Sequence, residues 1–246
     1  MSSESLSMFI QLGNGAHFFL NQAFKHINLA LEEDLAEKLF NEEMSKLNPP
    51  MIDVAESLQD HQNNPVKFLQ SEELFLLDDT TDPVYLAKEN SKKAAKDGKN
   101  CFTGSHKIES HELLGHITNF SFFIESLVNR HLLFLKFDHR VDSFSYNRLE
   151  NIGIMGKLIF IMKGNIEKKN VSIEKIHSLF GYRNKTVHFT PKNTKALKIS
   201  ILKLNQIWDE SIHLMNYFHS FEQFRFDDFG SAIQGKVNKF ENRWIR

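Results

Sequence analysis

The chain has 246 residues, 41% apolar and 25% charged, an ordinary balance for a globular protein. A formal net charge of −1 excludes a polycation that binds nucleic acid by bulk charge, so any such binding needs a local patch. The single cysteine, Cys101, excludes a disulfide framework and a multi-cysteine zinc site within one chain, and fits a reducing, cytoplasmic compartment.

Phenylalanine is heavy at 23, whereas Gly is 11 and Pro only 5. Few forced turns favour long helices over many short strands. Met1 to Leu12 carries no basic leader region, and no apolar run approaches the roughly 18–20 residues of a membrane span. A soluble, all-α protein is expected.

The first region, 1–100, opens with a helix over Ala16–Leu47. Phe19, Ala23, Ile27, Ala30, Leu31, Leu35 and Leu39 recur at three- and four-residue steps. Pro49-Pro50 stops it, and shorter helices are expected near Met51–His61 and Pro65–Leu77. Asp78 to Pro83 reads as turn chemistry. Lys88 to Asn100 holds five lysines and no aliphatic residue larger than Ala. It reads as a solvated loop or frayed helix, or as a mobile basic arm that contacts phosphates.

The second region, 101–246, divides into four helical segments. Ile108–Phe137 is long and apolar. Tyr146–Lys163 follows, ended by Gly164-Asn165. Ser172 is placed to cap Ile173–His188, which Thr190-Pro191 ends. Asn193 is placed to cap Thr194–Phe221. Short connections predict antiparallel neighbours and a four-helix bundle. The tail after Phe221 has no assignable element; Phe221, Phe224, Phe226 and Phe229 either pack onto the bundle or stack on bases.

The chemistry-bearing stretch is Tyr182-Arg183-Asn184-Lys185-Thr186-Val187-His188. Among the arginines only Arg183 has a histidine five to seven residues on. Arginine offers a permanent forked cation matched to phosphate oxygens. Histidine exchanges a proton near neutral pH. Asparagine donates to phosphate or ribose, or orients the imidazole. Together these residue types suit attack of an RNA 2′-OH on its adjacent phosphate. Asn184 and His188 share a helix face, but Arg183 and His188 lie about 140° apart around an ideal helix. They converge only where the helix frays, or where a second chain supplies one of them. Arg183 as a helix-end charge, and His188 favoured by the helix dipole, is the plainer account of the same residues.

The arginine, the asparagine after it and the histidine match the Arg-x4-6-His signature of the HEPN superfamily, which the stretch from Ile108 to Phe221 resembles. The apolar segment Phe120 to Leu127 is similar to that family's first helix. The resemblance implies a metal-independent, cofactor-free endoribonuclease, often a homodimer with the motif at its two-fold. It also implies a toxin or antiviral defence role, with RNA as substrate and an antitoxin or regulatory protein as partner. Carried onto this chain, Arg183, Asn184 and His188 are catalytic, and Tyr182, Lys185 and Glu125 contact substrate. Glu125 is either the polar partner the family often places on its first helix or a partly exposed surface carboxylate. A real bundle that binds RNA or protein without cleaving is the alternative.

A rival motif, His111-Glu112-Leu113-Leu114-Gly115-His116, resembles the zinc motif of dipeptidyl peptidase III enzymes. Their second motif, Glu-Glu-Cys, is missing. The plainer reading is a helix start with exposed histidines and with Leu113, Leu114 and Ile117 facing inward. No other histidine has ligand spacing, and neither a Gly-x4-Gly-Lys-Ser/Thr loop nor a Gly-x-Gly-x-x-Gly loop occurs.

Overall fold

The computed structural model describes residues 3–47, 83–98, 101–162, 173–187, 197–221, 235 and 243–244, with backbone alone at 3–6, 47, 186 and 187. The expected short helices at Met51–His61 and Pro65–Leu77 lie outside these residues. So do Pro49-Pro50, Gly164-Asn165, Ser172, Thr190-Pro191, Asn193, Phe224, Phe226 and Phe229.

The described chain is predominantly helical. Helix α1 covers Ser3–Leu47, α2 Pro83–Lys96, α3 Glu112–Phe137, α4 Ser143–Glu150, α5 Ile154–Met162, α6 Ile173–Val187 and α7 Ile201–His219. Two-residue strands β1 (Lys107–Ile108) and β2 (Ile199–Ser200) pair antiparallel, with Ile108 opposite Ile199. Compactness divides the chain into Met1–Leu31 with Lys99–Arg246, and Glu32–Gly98. The first half of α1 therefore belongs to the same compact unit as the second sequence region.

Helix α1 starts at Ser3, well before the Ala16 that the apolar periodicity indicates. Gly13 and Gly15, whose propensity weighs against helix, lie inside it; a Cβ on Gly15 would stand 3.8 Å from Ser126 Oγ of α3. A small residue here lets the two helices approach. The inward face of α1 carries Phe9, Ala16, Leu20, Ala23, Phe24, Ile27, Ala30 and Leu31, all buried.

Helix α3 packs against α4, α5, α6 and α7. Burial of Leu113, Ile117, Phe120, Phe123, Ile124, Val128 and Leu132 runs round much of its circumference, as expected of a helix with neighbours on most sides. It begins at Glu112, not Ile108. Ile108 is taken into the β pairing, and Ser110 Oγ accepts the Glu112 N–H. The expected single helix Tyr146–Lys163 is two. Asp142 caps α4 by accepting the N–H groups of Phe144 and Ser145, and Asn151 closes it. Gly153 then lies between α4 and α5. Helix α7 starts at Ile201 rather than Thr194, because residues 199–200 form β2 and Ser200 accepts the Lys203 N–H as its cap.

In the tail, Trp244 is fully buried and its Nε1 donates to Asn28 Oδ1 at 2.8 Å. Phe221 packs edge-on to Tyr217 at 4.9 Å. In the unit Glu32–Gly98, the lysine-rich segment is a regular helix, α2, with Pro83 at its first position. Ala87, Ser91 and Ala95 form its buried stripe, Lys88, Lys92, Lys93 and Lys96 are exposed, and Lys92 Nζ donates to Glu89.

His116 sits in the core, against the expectation of exposed histidines; only His111 meets it. His116 Nδ1 donates to the Ala23 carbonyl at 2.8 Å, and the ring stacks on Trp208 and Phe120, both 5.7 Å away. Burial pushes its pKa down to about 4, so the ring is neutral near pH 7. In the unfolded chain the same group titrates near 6.5. The folded pKa is the lower one, so the unfolded state takes up the proton first. The His116 contribution is therefore complete above pH 6.5 and lost as pH falls towards 4, by about 3 kcal/mol at about 1.36 kcal/mol per unit. Chemical denaturation across this range should show wild type losing about that much more stability than His116→Phe. Parallel pH profiles would contradict the assignment.

Candidate functional site

Helix α6 buries Ile176, Leu179 and Phe180. Arg183, three and four residues beyond the last two, follows the same stripe to its half-buried edge. There it meets α3. Arg183 Nη1 donates to Glu125 Oε1 at 2.7 Å, and the guanidinium carbon lies 5.0 Å from the centre of the Phe122 ring. Phe122 and Glu125 are i and i+3 on α3, so one helix face offers the guanidinium both a carboxylate and a π-face. The two side chains of the ion pair are 25% and 29% exposed, which limits its worth to about 1 kcal/mol or less. Its main effect is to fix the direction of the arginine.

Asn184 and Lys185 are exposed on the outer side of α6, and Tyr182 is half-buried, with Lys185 Nζ 5.9 Å from its ring centre. The structure thus brings Arg183 and Glu125 together and leaves Asn184 and Lys185 facing solvent. His188 lies outside the described residues.

One residue of this neighbourhood escaped the sequence reading. Lys157 of α5 is only 7% exposed, and its Nζ donates to Asn129 Oδ1 at 2.8 Å. Asn129 is one turn beyond Glu125 on α3. Desolvation lowers the Lys157 pKa, opposed by the negative charges of Glu150 and Glu125. Two cations from different helices, Arg183 and Lys157, are therefore held along one strip of α3. The available signal was a lone lysine inside an apolar segment, Ile-Met-Gly-Lys-Leu-Ile-Phe-Ile-Met.

The His111–Glu112–His116 motif does not converge. His116 is committed to Ala23 and the aromatic core. The Glu112 carboxylate instead meets His26 Nδ1, with His111 Nε2 at 3.7 Å. A Cβ on Gly115 would come within 2.6 Å of the His26 ring, so glycine is required for His26 to lie against α3.

No family model, curated protein or solved structure matches the chain. Among the described residues no helix is long and apolar enough to cross a membrane.

Glu125→Gln keeps an acceptor for Arg183 and removes its charge partner. It should cost about 1 kcal/mol or less of stability in chemical denaturation, and the difference should shrink at high salt. A loss of several kcal/mol would contradict a half-buried pair.

Proposed function

We propose that the protein is a metal-independent endoribonuclease of HEPN type, acting by transesterification at an RNA phosphodiester. The observation that carries this reading is Arg183, oriented on α6 by Glu125 and Phe122 within the Arg-x4-His stretch. In this scheme His188 is the general acid/base, moving the 2′-OH or leaving-group proton. Arg183 stabilises the charge that develops on the phosphoryl oxygens. Asn184 contacts substrate or orients His188, and Tyr182 and Lys185 border the RNA. Glu125 serves as the arginine's partner. A homodimer would let one chain's Arg183 work with the other's His188. A toxin or defence role, with an antitoxin or regulator as partner, extends the resemblance.

The ion pair favours a second reading as well. A guanidinium already neutralised by Glu125 suits a bundle that binds RNA or protein without cleaving it.

The deciding experiment is cleavage of mixed RNA in EDTA by wild type and His188→Ala, with product ends analysed. The expected products carry 2′,3′-cyclic phosphates, and the variant is slower by about 10²–10⁴-fold. Equal rates would remove His188 from the mechanism; no cleavage by either protein would favour the binding reading. Light scattering should find a dimer under cleaving conditions, and an active monomer would overturn the shared site.

A further inference from the structure

From Ser5 to Leu31, α1 contains no Asp or Glu; the acidic residues resume at Glu32-Glu33-Asp34. Gln11, Asn14, Phe18, Asn21 and Lys25 recur along this stretch at steps of three and four, and all five are exposed. They form one outer stripe of amides, an aromatic ring and a cation. Phe18 is 56% exposed. A single exposed phenylalanine is ordinary. This one begins a row of rings. Phe18 lies 5.5 Å from Phe19, edge-on; Phe19 lies 5.1 Å from Phe122; and Phe122 lies under the Arg183 guanidinium. The row leads from solvent to the arginine that the preceding reading assigns to phosphate.

We propose that this stripe of α1 is a stacking track for single-stranded RNA, with a base against Phe18 and the chain's phosphates directed towards Arg183. The inference rests on the reading of Arg183 as a phosphate-contacting residue. Rings accept any base face and therefore need no sequence match. Amide side chains both donate and accept, which suits base edges and ribose hydroxyls. The lack of carboxylates removes repulsion from the backbone, and Lys25 adds attraction. Base faces are available in a single strand and hidden in a duplex, so the track selects the single strand. The occupant most different in kind is a second copy of this chain, whose contact would be apolar and insensitive to salt.

The test uses the full chain and 2′-O-methyl oligoribonucleotides, which lack the attacking hydroxyl. Phe18→Ala should weaken single-strand binding about tenfold while leaving duplex binding unchanged. Phe18→Trp should bind the single strand and show quenching of the new indole's emission beyond that of the native tryptophans. Phe18→Ala binding as tightly as wild type, with no quenching in Phe18→Trp, would overturn the track. So would a Phe18→Ala protein that changes from dimer to monomer at unchanged RNA affinity. If Arg183→Ala loses binding while Phe18→Ala does not, the track alone fails. Phe18-dependent binding by a protein that leaves unmodified RNA uncleaved would keep the track and remove the nuclease reading. No binding by wild type would remove both.

Discussion

Trp208 joins the opening helix to the rest of the compact unit that contains the candidate site. Its ring lies 4.3 Å from both Phe24 of α1 and Phe120 of α3, with neutral His116 stacked alongside. Helices α1, α3 and α7 thereby share one aromatic core. Aromatic pairs of this kind add about 0.5–1.5 kcal/mol each beyond the area they bury. They also have preferred geometries, which resist the sliding that aliphatic contacts allow. Positioning of the site follows from that. Phe19 and Phe122 can meet because Ala23 and Phe24, a turn further along α1, are locked against His116 and Trp208.

The Phe122 face of α3 also carries polar groups. Glu125 faces Arg183 from α6, and Asn129 faces Lys157 from α5. Each contact joins a different pair of helices, so α3 sets the position of one cation relative to the other. Lys157 is buried and Arg183 half-buried, so neither is an ordinary surface charge. Electrostatic preorganisation has this character: side chains held before the anion arrives need little reorganisation when it does. Under the proposed function Glu125 would compete with a phosphate for the guanidinium that it holds.

The helical class was legible because α1, α6 and α7 bury apolar residues at helical spacing and α3 is long and apolar, and Arg183 stood out in the sequence through its neighbours Asn184 and His188. What escaped was information that no single element contains. The pairing of Ile108 with Ile199 spans two residues on each side and has no periodicity to detect. The opening turns of α1 escaped because Gly13 and Gly15 weigh against helix, and the approach of Gly15 to Ser126 is invisible until α3 is placed. The burial of His116 depended on which side of α3 meets α1. The importance of Lys157 and Phe18 arises the same way: each becomes notable only after another helix has been turned towards it.

The charge pattern of α1 connects these levels. Its stretch from Ser5 through Leu31, free of carboxylates, lies in the unit with Arg183; its acidic part begins at Glu32, where the second compact unit begins. Helix propensity does not demand this division, because glutamate is as good a helix former as lysine or glutamine. Solubility alone does not demand it either, since exposed carboxylates would serve an outer face better than Phe18. The proposed RNA track gives a reason: amides and one lysine tolerate a polyanion that carboxylates would repel. In that proposal the row from Phe18 to Arg183 adds flat, stackable groups, and a single-stranded polynucleotide would meet both features with one molecule.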